Sequence, residues 1–131
     1  MKKRLLLCST IALLIFTAVS CKKITIDPKT LIGTWKGRIW TGKDSTAIGS
    51  TKTDYTIVFK ADGTLTYEKK YSTSLTGNGI WTLNSDNFME ATNSDPFGGS
   101  ATKLKAKATN TKIAGKWGLE GLENGFYLIK Q

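Results

Sequence analysis

The sequence predicts an all-β fold: a small up-and-down antiparallel barrel of about eight strands, following an N-terminal signal segment. Three observations predict it. From Leu31 onward, apolar and polar residues alternate with a period of two in short runs, with no sustained helical period. Turn signals such as Ala61-Asp62-Gly63 and Glu123-Asn124-Gly125 separate the runs. And Gly-x-Trp occurs three times, at Gly33–Trp35, Gly79–Trp81 and Gly115–Trp117, using three of the four tryptophans.

The strands follow in order. Residues 31–40 place Leu31, Gly33, Trp35, Gly37 and Ile39 on one face, and residues 53–60 do the same for Tyr55, Ile57 and Phe59. Gly63, able to take a positive φ, turns the chain into residues 63–71, where Leu65, Tyr67 and Lys69 alternate with Thr64, Thr66 and Glu68. The next run, 77–84, offers Trp81 and Leu83, and a polar turn then leads to the short strand 88–92. After a loop at 93–100 carrying Pro96, residues 100–109 set Leu104, Ala106 and Ala108 against Lys103, Lys105 and Lys107. Residues 110–119 align Ile113, Gly115, Trp117 and Leu119, and Asn124-Gly125 reads as the turn into a last strand at 126–131. Abundant threonine suits such pleated surfaces.

Sequential antiparallel strands leave two edges, and closure removes both. A two-sheet sandwich is the alternative, but it needs long crossover connections, and none is evident. In a strand, residues two apart share a face, so Gly-x-Trp sets an empty position beside the largest side chain. The expectation is that each indole lies across the space its glycine leaves, and that the three together form an aromatic layer closing one end.

Residues 1–20 read as a signal segment. Lys2, Lys3 and Arg4 precede an apolar run from Leu5 to Val19, which is short for a bilayer span of roughly 20 residues. The segment ends Ala18-Val19-Ser20-Cys21, which resembles the lipobox of bacterial lipoproteins. There the cysteine thiol is acylated before cleavage, and Cys21 is the expected lipidation site. Plain export without lipid, or an uncleaved anchor, are the alternatives. Residues 21–30, interrupted by Pro28, read as a tether with order near Ile24 and Ile26, and residues 31–131 as the barrel domain. Lys22 and Lys23 follow Cys21, where an aspartate retains some lipoproteins in the inner membrane, so the outer membrane is expected.

Composition narrows the function. Cys8 lies in the signal and Cys21 is assigned to lipid, which leaves no disulfide to support the fold. The chain has no histidine, so neither a Ser-His-Asp nor a Cys-His arrangement can form, and a His/Cys zinc site is excluded. Carboxylate pairs such as Asp86 with Glu90 or Asp95 read as turn or surface residues, and residues 84–87 lack the ordered acidic ligands of a calcium loop. The glycines punctuate strands and open no phosphate-binding helix. No catalytic residue, metal or cofactor is expected. Removing Lys2, Lys3 and Arg4 from the nineteen basic residues leaves sixteen against ten acidic ones, a moderate excess. Without a basic-aromatic motif it points away from nucleic acid. The lysine row at 103, 105 and 107 reads as a solvated face, or as a contact for anionic lipid or an acidic partner.

Gly33-Thr34-Trp35 resembles the Gly-x-Trp signature of the lipocalin and fatty-acid-binding (calycin) superfamily. Together with the lipobox, the stretches 31–35, 59–67, 79–83 and 125–130 resemble, in their order, small lipocalin-like lipoproteins of Gram-negative bacteria. The resemblance covers nearly all of residues 31–131. It implies a barrel that binds small hydrophobic molecules, with inhibitor or accessory members that bind proteins instead. Lipocalins also stack a late arginine on the first tryptophan, whereas the only arginine after the signal is Arg38. An eight-stranded barrel holds its own side chains or one small ligand. Twelve aromatics follow Cys21, so a largely filled core is expected, with a shallow pocket at one end. Tyr55, Phe59 and Tyr67 are the expected wall, with Trp35, Trp81 and Trp117 as further candidate ligand contacts. The functional expectation is non-enzymatic binding of a small, partly apolar molecule, or recognition of an envelope protein through the rim or outer face.

Overall fold

The computed structural model describes residues 25–42, 52–94, 101–119 and 124–131. The signal segment and Cys21 lie outside the described residues. Eight strands, β1 (Gly33–Trp40), β2 (Lys52–Phe59), β3 (Thr64–Lys70), β4 (Ser74–Leu83), β5 (Phe88–Asn93), β6 (Thr102–Ala108), β7 (Lys112–Gly118) and β8 (Asn124–Lys130), form a closed barrel in sequence order. Every neighbouring pair is antiparallel, and β8 returns to β1 with Trp35 opposite Lys130 and Trp40 opposite Gly125. The sheet therefore has no free edge.

Alternation sets the inward faces as the sequence predicts. Trp35, Ile39, Tyr55, Ile57, Phe59, Leu65, Tyr67, Leu104, Ala106, Ala108, Ile113 and Leu128 are all buried, and Lys69 is buried with them. Lys103, Lys105 and Lys107 are exposed on the outer face of β6. Leu119 departs from the pattern. The strand ends at Gly118, whose φ of +130° turns the chain, and Leu119 is half exposed.

One end of the barrel is plugged. Asp27 caps a 3₁₀ turn at Pro28–Leu31, its carboxylate accepting from the Lys29 amide at 2.9 Å. Leu31 and Ile26 are buried against the core, and the Ile26 amide donates to Asn87 Oδ1 at 2.8 Å. The expected tether is thus ordered at Ile26, whose side chain finds cover beside Leu31. Three short turns complete this end. In the first, Gly63 has φ +79°, and Asp62 accepts from the Thr64 hydroxyl and amide, which hold its carboxyl below the usual range. In the second, Asn84 Oδ1 accepts from the Asp86 and Phe88 amides, and Asn87 takes φ 60°. In the third, Thr109 Oγ1 accepts from the Lys112 amide at 2.9 Å. The other four connections belong to the opposite end, called here the loop end.

The Gly-x-Trp pairs work differently from the expectation. A Cβ on Gly79 would fall 2.3 Å from the Thr92 carbonyl oxygen of β5, and one on Gly115 would fall 2.1 Å from the Lys105 carbonyl oxygen of β6. What fills these spaces is the backbone of the next strand, not the indole. Gly33 meets nothing within 4 Å and is required instead by its φ of +121°. Rings do lie on glycines, but across strands: Tyr67 on Gly77 and Trp40 on Gly125, where a Cβ would sit 2.5 Å and 2.3 Å from ring-system atoms. Gly125 is thereby committed to β8, and Asn124-Gly125 is not the expected hairpin turn.

The three indoles also do not form one layer. Trp35 and Trp81 flank Phe59 at the plugged end, with ring centroids at 6.5 and 5.2 Å, whereas Trp117 lies at the loop end. Each indole N–H donates to a backbone carbonyl: Trp35 to Leu31 at 2.7 Å, Trp81 to Lys60 at 3.1 Å and Trp117 to Trp40 at 3.1 Å. The second bond ties β4 to the end of β2 past β3. The third ties β7 to β1 past β8, across the closure. Lys130 Nζ sits 5.8 Å from the Trp35 ring centroid and donates to the Thr30 carbonyl, joining the last strand to the plug.

Two outcomes follow from this packing. Gly79→Ala and Gly115→Ala each force a strand apart and lower stability by about 1–3 kcal/mol in urea unfolding, whereas Thr76→Ala on the outer face changes it by less than about 0.5 kcal/mol. Lys130→Met removes a cation–π contact and a hydrogen bond to a charged donor, costing about 1–2 kcal/mol, and speeds hydrogen exchange at the Trp35 indole.

Candidate functional site

The chemistry-bearing side chains of the interior gather at the loop end. Tyr55 on β2, Tyr67 and Lys69 on β3, Asn93 on β5 and Trp117 on β7 all point inward by strand alternation. Lys69 is only 8% exposed, and its Nζ lies 5.1 Å from the Trp117 ring centroid, 5.5 Å from that of Tyr67 and 5.9 Å from that of Tyr55. Three ring faces around one amino nitrogen make a cage in which a cation is stabilised by the ring quadrupoles. Tyr55 and Tyr67 stand 6.0 Å apart between centroids.

The polar tips are positioned as well. Asn93 Nδ2 donates to the Tyr55 hydroxyl at 2.5 Å, and the Tyr67 hydroxyl donates to the Ser94 carbonyl at 2.7 Å. Asn93 is 1% exposed, and its Oδ1 has no hydrogen-bond partner among the described residues. A buried acceptor without a donor costs on the order of 1–3 kcal/mol, so this amide is a polar feature that core packing alone does not explain. Burial pushes the Tyr55 phenol far above the ordinary tyrosine value, with the Asn93 hydrogen bond opposing the shift and nearby Tyr67 adding to it.

Beside this cluster lies a narrow gap, bounded by Ile39, Tyr55, Lys69, Thr102, Leu104 and Trp117 and too small to admit a water molecule. The rest of the described core is closed by side chains, with Trp35, Tyr55, Phe59 and Phe126 each under 2% exposed. On the outer face, β2, β3 and β4 form a shallow depression of about 410 Å³ lined mostly by Thr56, Val58, Thr66, Glu68, Thr76 and Asn78.

The expected site residues therefore separate. Tyr55, Tyr67 and Trp117 meet at the loop end. Phe59, Trp35 and Trp81 pack together at the plugged end, so Phe59 does not share a wall with the two tyrosines. The period-two pattern already put Lys69 on the inner face with Leu65 and Tyr67, and a lysine on such a face was the available signal. Asn93 gives no signal in the sequence, because it opens the turn-like run Asn93-Ser94-Asp95-Pro96, yet it is the last residue of β5. Residues 84–87 spend the Asn84 and Asn87 side-chain oxygens on backbone amides. Among the described residues, no group of three His, Cys, Asp or Glu side chains is placed to hold a metal. No helix among them is long and apolar enough to cross a membrane. Compared with models of protein families, with curated proteins and with solved structures, the chain matches none.

Burial of Tyr55 has a pH signature. Its folded pKa lies above the unfolded value of about 10, so the unfolded chain releases this proton first. The linked stability is fully present below about pH 10 and declines as pH rises further. In an alkaline titration, the Tyr55 phenolate absorbance is expected to appear together with unfolding, and Tyr55→Phe removes that component.

Proposed function

We propose that this protein is a lipid-anchored component of the bacterial outer membrane, lipocalin-like in its barrel, that binds a small, partly apolar molecule at the loop end without transforming it. The observation that carries the reading is the caged Lys69. The Lys69 amino group lies among three aromatic rings, two of which, Tyr55 and Trp117, border an interior gap with it, and the buried Asn93 Oδ1, without a partner among the described residues, belongs to the same cluster. Cores are ordinarily closed with apolar groups, and small-molecule sites combine apolar walls with a few convergent polar atoms.

The filled plugged end and the narrow gap favour a ligand seated at the loop end over one enclosed in a deep cavity. Two further features support the lipocalin-like reading. Gly33 and Trp35 open the first strand, and Lys130 provides over Trp35 the late cation that lipocalins take from arginine. Arg38 has a different role, since its Nε pairs with Asp54 on the outer face at 3.3 Å. The anchor part of the reading rests on residues 1–21, with Cys21 as the acylated residue.

The depression across β2, β3 and β4 favours a second reading, a protein-interaction module of inhibitor or accessory type using the outer face. Medium-chain fatty acids titrated onto the detergent-solubilised full chain separate the two. The proposal expects a saturable change in tryptophan fluorescence that Lys69→Met weakens at least tenfold, about 1.4 kcal/mol. No saturable change with any chain length contradicts it. A stoichiometric crosslink through Thr66 or Asn78 would favour the second reading.

A further inference from the structure

We infer that the plugged end of the barrel faces the bilayer and the loop end, with Lys69, points away from it. The inference rests on the lipid-anchor reading of Cys21 and adds the side of the domain that the anchor selects. Ile26 is fixed at the plugged end: it is buried in the core, and its amide is held by Asn87 in the β4–β5 turn. Cys21 precedes Ile26 by five residues. Five residues span at most about 18 Å even when fully extended.

The barrel wall sets the competing length. Most of the strands have seven or eight residues; at about 3.3 Å per residue and a tilt of roughly 35–45° they give a wall roughly 16–22 Å high. An anchor tied within about 18 Å of Ile26 would have to run the whole wall, and around its outside, for the loop end to rest on lipid. That arrangement takes the whole of this reach, fully stretched, and leaves none for the detour from the buried Ile26 around the rim, whereas the plugged end needs no such extension.

The surface beside Asn87 agrees. Phe88, the next residue, is 37% exposed on the outer face of β5, and its cross-strand neighbour on β6 is Lys107. An aromatic ring with a lysine beside it is the pairing favoured where apolar chains meet phospholipid head groups. The lysine row of β6 runs from that point toward the loop end, so its Lys107 end is the one nearest to lipid.

With Cys8 in the signal and Cys21 acylated, an introduced cysteine is the only free thiol of the processed protein. Ser85→Cys at the plugged end and Ser72→Cys at the loop end, both in exposed turns, are labelled with a fluorophore. The full-length acylated proteins are then reconstituted in vesicles carrying a head-group spin label. The expected result is quenching several-fold stronger at position 85 than at 72. A second pair, Asn110→Cys and Thr73→Cys, guards against loss of folding at either site. Equal or stronger quenching at the loop end, with Cys21 shown by mass to be acylated, overturns the orientation and leaves the anchor standing. An unmodified Cys21 overturns the anchor reading and the orientation with it.

Discussion

Everything in this fold depends on how closely neighbouring strands can approach inside a very small circle. Eight short strands close only if each curls strongly, and curling brings the backbone of one strand to where the next would place a Cβ. Gly79 and Gly115 remove that Cβ where the Thr92 and Lys105 carbonyls press in, as Gly37 does at the Tyr127 carbonyl of β8. Two residues further along the same strands, Trp81 and Trp117 reach the other way and hydrogen-bond the backbone one strand beyond their neighbour. The repeated Gly-x-Trp is thus a paired device: the glycine admits one strand and the indole fastens another. At Gly33 and Trp35 the same spacing has a different use, because the left-handed backbone leads out of the plug and the indole bonds back to it.

The interior divides along the barrel axis. At the plugged end, Trp35, Phe59 and Trp81 pack edge to face, and the Trp35 and Trp81 N–H groups there donate to backbone carbonyls. At the loop end the same inward alternation delivers a lysine, an asparagine and two tyrosines among the apolar walls. Polar groups held this way constrain each other. Asn93 fixes the Tyr55 hydroxyl, and Lys69 can sit among the rings only while they stay in place. Any ligand at this end therefore acts on a cluster already ordered by the fold, which limits the entropy lost on binding.

Much of this was legible in the sequence, and the rest was not for one physical reason. Period-two alternation reports which residues of a strand share a face, so the buried rows at 55–59, 65–69 and 104–108 were readable, Lys69 included. Alternation says nothing of which residue on another strand lies opposite. The roles of Gly77 under Tyr67 and Gly125 under Trp40 are cross-strand facts, and so is Lys130 over Trp35. Asn124-Gly125 carried a strong local turn preference, but the register with β7 and the indole above Gly125 overrode it. Order near Ile26 was legible too, but the 3₁₀ turn at Pro28–Leu31 that carries Leu31 into the plugged end was not, because four residues make no periodic pattern. The aromatic wall divides between two ends because Tyr55 and Phe59, on one face of β2, are four residues apart along it and Phe59 is its last residue.

Closure holds the barrel together: β8 zips onto β1, and Trp117 fastens β7 to the Trp40 carbonyl across the join. Native-state hydrogen exchange in low concentrations of denaturant tests it most directly. If the barrel is sealed there, the Trp117 indole and the β8 amides bonded to β1 exchange only through global unfolding, with the same denaturant dependence as the β3–β4 ladder. Exchange of that seam by a local, denaturant-independent opening, while β3–β4 stays protected, would contradict the account.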